Sequence, residues 1–167
     1  HPSPILYWDF NTGDTLHIQA LPKGSGSENM SRLCMLDPCD GIGGITHCIL
    51  DTVTTAGGRP CPPTIVGVGI GGDAPTALKL GKTALLRPIG SRHPEKAVAR
   101  LETDLITLLN DTGIGPMGLG GKTTVLDVHI ETMPCHPAGL PVGIVLQCWA
   151  DRHAELLVTA DGSWEVR

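Results

Sequence analysis

Aromatic residues make up only 3% of this 167-residue chain, so its core has to come from aliphatic packing and close backbone contact rather than from stacked rings. No block of Lys or Arg stands anywhere in the sequence and the formal net charge is -5. The electrostatic footprint of a nucleic-acid binder is therefore missing. No apolar run is long enough to span a bilayer, so no membrane partner is expected. The opening HPSPILYWDF lacks a basic stretch followed by an apolar one, which argues against a secretory signal. His1 comes first rather than Met, and we expect the natural polypeptide to start earlier. None of the six cysteines, at positions 34, 39, 48, 61, 135 and 148, forms C-x-x-C, which excludes a zinc ribbon or a thioredoxin motif. Without a secretory signal a disulfide framework is not expected. Reduced thiols in the cytoplasm leave core filling, metal ligation or nucleophilic chemistry.

Glycine (22) and proline (14) are abundant instead, the composition of shaped loops and close backbone approach. Residues 15–21 alternate like a strand and run into the Gly/Ser loop KGSGSEN. Residues 42–56 have helical spacing ended by Gly57-Gly58. Residues 64–71 are a strand-like apolar run. Asp73 caps a following helix that stops before Pro88. A third helix follows His93-Pro94, with Ala97, Leu101, Leu105 and Leu108 on one face. After the loop GIGPMGLGGK come three strand candidates, TTVLDVHIE, LPVGIVLQ and AELLVTA. This order predicts an α/β fold, a mixed sheet flanked by helices, in a single domain over residues 1–167.

Two short motifs mislead. Gly67, Gly69 and Gly72 match G-x-G-x-x-G between a strand and a helix, but the dinucleotide site needs an acidic residue after a second strand about twenty residues on. That region is RPIGSRHP, with neither, so tight strand–helix packing is the better reading. Gly120-Gly121-Lys122-Thr123 resembles the end of a phosphate loop, but Pro116 stands where a glycine is required and a strand follows instead of a helix. Asp127, His129 and Glu131 alternate along one strand and share a face. A metal site is one reading; a solvated or interface face is the commoner one.

Three loops stand out together: KGSGSEN (23–29), RPCPP (59–63) and residues 134–152. Cys61 is flanked by prolines, a rigid mount for a thiol. Cys148 comes at a strand end, where sites gather in α/β sheets. With His136, these cysteines are open to cluster ligation, zinc, a Cys/His nucleophile pair, or plain core filling.

The strings GIGPMGLGGKTTVLDVHIE and PCHPAGLPVGIVLQCWADRH resemble the class I (iron–sulfur) fumarase and L-tartrate dehydratase family, in particular its alpha subunit, the N-terminal domain of single-chain members. KGSGSENMSRL, CPPTIVGVGIGGD and LLRPIGSRHP continue the likeness in the same order. The resemblance implies a [4Fe–4S] cluster held by three cysteines, two of which match Cys61 and Cys148. The third belongs to an upstream C-x-D-T-G motif. That motif is absent here, since Asn110-Asp-Thr-Gly113 has no cysteine. The likeness therefore covers the C-terminal part of the alpha subunit. It implies an open iron acting as a Lewis acid on a hydroxy diacid, with His136 in the substrate pocket as a catalytic and substrate-binding residue. Lys23, Gly24 and Gly26 would meet a substrate carboxylate. Cys135 would lie near the cluster without ligating it, and Cys34, Cys39 and Cys48 match no ligand.

The resemblance further implies a beta subunit or second domain, a homo-oligomer, a small dicarboxylate substrate (fumarate/malate or L-tartrate/oxaloacetate) and an inactive isolated chain. The alternative is a non-catalytic truncated paralogue that keeps the fold and binds a partner.

Overall fold

The computed structural model describes residues 4–166. They divide into two compact units, one spanning Pro22–Arg152 and a smaller one made of the two chain ends, through Leu21 and from His153 onward.

The larger unit is a four-stranded mixed sheet between helices, the expected α/β class. Its elements are α1 (Ser25–Glu28), β2 (Arg32–Leu36), α2 (Gly41–Ala56), β3 (Thr64–Gly72), α3 (Ala74–Ala84), α4 (Lys96–Asn110), β4 (Val125–Cys135) and β5 (Leu140–Gln147). The strand order is β2-β5-β3-β4. β4 runs parallel to β3, while β5 is antiparallel to both β3 and β2. β3 is thus central and buried on both faces, which is why it reads as a continuous apolar run.

The pleat sorts the two faces. Val66 and Val68 of β3, Val128 and Ile130 of β4, and Val142, Ile144 and Leu146 of β5 pack with Ile45, Ile49 and Val53 of α2 and with Leu105 and Leu109 of α4. The glycines of β3 and β5 point the other way, under α3. A Cβ on Gly67 would stand 2.1 Å from the Gly81 carbonyl oxygen, and one on Gly69 2.1 Å from that of Ala77. The glycine-rich motif therefore lets a helix rest directly on the strand backbone. Asp73 caps α3 as expected, accepting from the Thr76 N–H at 3.0 Å. At the other false motif, β4 follows Lys122-Thr123 and no helix does.

Several expectations need correction. β2 is an additional strand, and α1 turns part of the KGSGSEN loop into a helical turn. β4 runs on to Cys135 through Pro134, which an edge strand tolerates because one side of it needs no ladder donors. α4 buries Glu102, Leu105 and Leu109, whereas Ala97 is exposed. The face is rotated because Glu102 is an anchor. It accepts from Arg87 Nη1 at 2.8 Å, from the Ile130 N–H on the outer edge of β4 at 2.9 Å, and from the His93 N–H at 3.0 Å. Covering the β4 edge this way removes a site for unwanted strand pairing.

The face of Asp127, His129 and Glu131 is also not a solvated one. Asp127 and His129 are fully buried, 3.1 Å apart, and Asp127 accepts from Arg92 at 2.7 Å and from the Gly90 N–H at 2.6 Å. Glu131 lies 3.5 Å from Arg87. Burial pushes the Asp127 carboxyl up, but the His129 ring 3.1 Å away and the N–H groups of Gly90 and Val128 outweigh it and bring it down to about 2. These residues strap the 85–93 loop to β4. Cys34 of β2 and Cys48 of α2 are joined in a disulfide, against the expectation of reduced, incidental thiols; the strand and helix that carry them pack against each other.

The smaller unit is a three-stranded antiparallel sheet of β1 (Leu16–Ala20), β6 (Ala154–Val158) and β7 (Trp164–Val166), in the order β1-β6-β7. β1 is expected from its alternation and β6 from the strand candidate AELLVTA; the three-residue β7 is an additional strand. No helix among the described residues is long and apolar enough to cross a membrane.

Candidate functional site

Four loops meet at the end of the sheet where β3 begins and β5 finishes. α2 stops at Gly57, whose φ of 55° only glycine adopts freely. The chain then turns through Arg59, whose Nε donates to the Ala56 carbonyl at 3.1 Å. Cys61 follows in the left-handed region at φ 57°, an uncommon conformation for a residue with a Cβ, and its thiol is exposed. The Cys61 carbonyl accepts from the Trp149 N–H at 3.3 Å, and the Pro62 carbonyl from the Met117 N–H at 2.8 Å. The first of these bonds ties the Cys61 loop to the residue next to Cys148. The second brings in the GIGPMGLGG loop, where a Cβ on Gly118 would stand 2.6 Å from the Gly58 Cα.

Cys148 is the first residue beyond β5 and is half-buried, with a free thiol. The Asp151 N–H donates to its carbonyl at 3.0 Å, which closes a tight turn, and Arg152 Nη1 lies 4.0 Å from its Sγ. Lys23 holds the strand end from the other side. Its Nζ donates to the Leu146 carbonyl at 2.5 Å and to Ser27 Oγ at 2.8 Å. It also lies 3.7 Å from Glu28, which pairs with Lys82 at 2.6 Å. Only 11% of the Lys23 side chain is exposed, although it stands in a Gly/Ser loop. Burial pushes its pKa down, against the opposing pull of Glu28. Gly24 precedes α1, and Gly26 packs against the Cys61 loop, where a Cβ would stand 3.0 Å from the Arg59 carbonyl oxygen.

Cys61, Cys148, Lys23, Gly24 and Gly26 are thus gathered at one end of the sheet. His136 is not with them. Gln147 is opposite Ile65 at the start of β3, whereas Cys135 is opposite Gly72 at its end. Seven residues of strand separate those positions, roughly 23 Å. The expectation that His136 and Cys135 share the pocket of the other two cysteines is therefore corrected within one chain, because the length of β5 intervenes. At the far end His136 is exposed and its Nδ1 accepts from the Ala138 N–H at 3.1 Å, while Cys135 Sγ lies 3.2 Å from the Gly139 carbonyl oxygen. No group of three or more His, Cys, Asp or Glu side chains among the described residues is placed to hold a metal ion. Two cysteine-bearing loops therefore meet here, and no third ligand among the described residues completes a metal site. The gathering also lies at the amino ends of the parallel pair β3 and β4, not the carboxyl ends where α/β sites usually form. Arg152, beside the Cys148 sulfur, and the Met117 loop were not singled out from the sequence; the A-D-R string after Cys148 and the glycines of GIGPMGLGG were the available signals.

A family model described as fumarate hydratase (Fumerase) matches residues 2–157. The chain belongs to that family. Among its relatives is a Methanocaldococcus jannaschii protein provisionally named L(+)-tartrate dehydratase subunit alpha, 60% identical over 154 residues that make up 91% of this chain and 54% of the relative. The L(+)-tartrate dehydratase subunit alpha of Escherichia coli strain K12 is 40% identical over 163 residues, 97% of this chain and 54% of the relative. The chain spans about half the length of these curated relatives.

Proposed function

We propose that this chain contributes two thiolate ligands, Cys61 and Cys148, to the [4Fe–4S] site of a hydro-lyase that dehydrates a hydroxy dicarboxylic acid. L(+)-tartrate is the first substrate to test and malate/fumarate the second. The observation that carries the reading is the hydrogen bond from Trp149 N–H to the Cys61 carbonyl, which brings two free thiols from distant sequence positions to one end of the sheet. The donor chemistry fits the cluster in part: two soft sulfur ligands on rigid mounts, the third coming from outside this sequence. When bound, such a cluster supplies an open iron that acts as a Lewis acid toward the substrate hydroxyl.

The chain's own residues shape the surroundings. Lys23 is spoken for by Leu146 and Ser27, so we assign it to positioning Cys148 rather than to the substrate. Gly24 and Gly26, beside the Cys61 loop, are assigned to a substrate carboxylate through their backbone N–H groups. A role for His136 at the substrate requires a second chain to bring it to the cysteine end. A second subunit, an oligomer and a cytoplasmic setting belong to the same reading.

The test is anaerobic reconstitution of the natural polypeptide with its second subunit, followed by iron and sulfide counts, EPR and assays with both substrate pairs. Activity with a four-iron cluster is expected from the assembly, and none from this chain by itself. Zinc without sulfide would sink the cluster assignment, and an assembly that binds no iron and turns over neither substrate would favour the non-catalytic reading. Mixing a His136→Ala variant with a Cys148→Ala variant is expected to restore part of the activity if His136 acts across an interface, and none if it acts within its own chain.

A further inference from the structure

Cys61 and Cys148 differ in the charge set beside them. The arginine nearest Cys61 in sequence, Arg59, is turned back onto the end of α2, where Nε donates to the Ala56 carbonyl at 3.1 Å and Nη2 to that of Thr55. Its guanidinium is engaged by helix carbonyls. At Cys148 the cation faces the sulfur instead: Arg152 Nη1 lies 4.0 Å from Sγ, as the donor of an N–H···S contact. Lys23 holds the same strand end from the other side, but its ammonium is bonded to the Leu146 carbonyl and Ser27 and paired with Glu28. Arg152 is therefore the cation aimed at a candidate ligand atom.

The backbone is built to put it there. The Asp151 N–H donates to the Cys148 carbonyl at 3.0 Å and closes a turn over residues 148–151. Asp151 takes φ 40°, a left-handed conformation that Asp tolerates better than most residues. Gln147, the last residue of β5 and only 1% exposed, then donates from Nε2 to the Arg152 carbonyl at 3.4 Å. A buried amide is destabilising without a partner, so this bond ties Arg152 to the strand that carries Cys148. The Trp149 N–H, bonded to the Cys61 carbonyl, fixes the same turn to the loop of the other cysteine.

We propose that Arg152 is a positioning residue for the metal site, donating to the Cys148 sulfur, raising the reduction potential of the bound cluster and slowing loss of its iron. The proposal rests on the cluster reading above and adds the residue that tunes the cluster and the sign of its effect. A thiolate on iron is a better acceptor than a free thiol. Each electron taken up adds negative charge that spreads onto the ligand sulfurs. A guanidinium held against one of them stabilises the reduced form more than the oxidised one, so the potential rises.

The experiment is an EPR-monitored redox titration of the anaerobically reconstituted assembly, the natural polypeptide with its second subunit. Wild type, Arg152→Gln, Arg152→Lys and Arg59→Gln are compared, with iron and sulfide counted in each and a chelator challenge run alongside. Arg152→Gln is expected to hold a cluster that reduces at a lower midpoint and loses iron several-fold faster. Arg152→Lys, which keeps the charge, should recover most of both values, and Arg59→Gln should stay near wild type. A wild-type midpoint in Arg152→Gln at full iron content overturns the role of Arg152 and leaves the cluster reading intact. An equal fall in Arg59→Gln shows a diffuse effect of net charge and overturns the specific contact. Loss of the cluster from both Arg152 variants shows a packing role and overturns the tuning; loss from Arg152→Gln alone, with Arg152→Lys loaded, supports it. A wild-type assembly that takes up no four-iron cluster overturns the underlying reading, and the proposal with it.

Discussion

The two ends of β3 carry the same kinds of residue and differ in what they do with them. At the Thr64 end a cysteine in a left-handed turn and a cysteine at a strand terminus lie on loops that bond to each other, to a buried lysine and to a third loop. At the Gly72 end Cys135, the last residue of β4, and His136 lead into a short exposed turn whose side-chain hydrogen bonds stay within residues 135–139. Cysteine identity and a neighbouring histidine thus say little about a site. What distinguishes the Thr64 end is convergence from separate parts of the chain, because a side chain fixed by several independent elements can hold a ligand in one geometry.

The largest effect should come from testing that contrast directly. In the assembled enzyme, Cys61→Ala or Cys148→Ala is expected to bring iron and sulfide content to background and to cut activity by more than about 100-fold, beyond the ~10–100-fold typical of groups that only support a ligand. Cys135→Ala should keep its iron. Equal loss in all three variants would erase the distinction between the ends.

Next in size is the backbone of the Gly72 end. Gly71 has φ 96°, and a Cβ there would stand 1.7 Å from the Met133 carbonyl oxygen. Gly71→Ala should therefore destabilise the protein by about 3 kcal/mol, from overpacking and an unfavourable φ combined. Gly139→Ala, at a glycine with nothing within 4 Å of its Cβ position, should cost far less. Urea midpoints of the two variants give the comparison. Equal midpoints would show that the far end is looser than its contacts imply.

Much of the larger unit was legible beforehand. α2, β3, the Asp73 cap and the packing role of the β3 glycines follow from spacing and punctuation. The proline mount and the strand end marked Cys61 and Cys148 singly; only the family resemblance paired them, and the Trp149–Cys61 bond places their loops at one end of the sheet. What escaped has physical causes. β2 is five residues with an Arg and no clean alternation, and it is recognisable only once β5 is there to pair with it. The α4 face was misplaced because a carboxylate, Glu102, is the residue facing inward. The buried Asp127–His129 pair reads as a polar face until Arg92 and the Gly90 amide are placed over it. Cys148 and His136 are twelve residues apart and looked like neighbours, but the eight residues of β5 are extended, so proximity in sequence became separation in space.

That Asp127 network provides a smaller and pH-dependent test. Its carboxyl sits at about 2 in the folded protein against an ordinary 3.8. A depressed carboxyl contributes stability that is complete above about pH 4 and disappears as pH falls toward 2, about 2 kcal/mol for a shift of this size. Asp161 in the smaller unit titrates over the same range, also at about 2. The informative quantity is therefore the difference between wild type and Asp127→Asn, measured as urea midpoints from pH 5 to pH 2. The difference should shrink as the pH falls. A constant difference would mean that the pair is held by packing and not by charge.

The smallest expected effect bears most closely on the Thr64 end. Lys23→Met removes an ammonium bonded to the Leu146 carbonyl and to Ser27 while keeping most of the side-chain volume. The lost charged hydrogen bonds and the relieved cost of burying a cation oppose each other, so the net loss of stability should be only about 1 kcal/mol. The local consequence should exceed the global one. The Leu146 carbonyl loses its tie two residues before Cys148, so amide exchange at Cys148 and Trp149 should accelerate and iron should leave the assembled enzyme several-fold faster in a chelator challenge. Glu28 keeps Lys82 as a partner, so the effect belongs to the strand end and not to a stranded carboxylate. Unchanged exchange at Cys148 together with unchanged iron loss would show that the four-loop junction holds its cysteines without the lysine, through the backbone bonds of Cys61, Pro62 and Cys148.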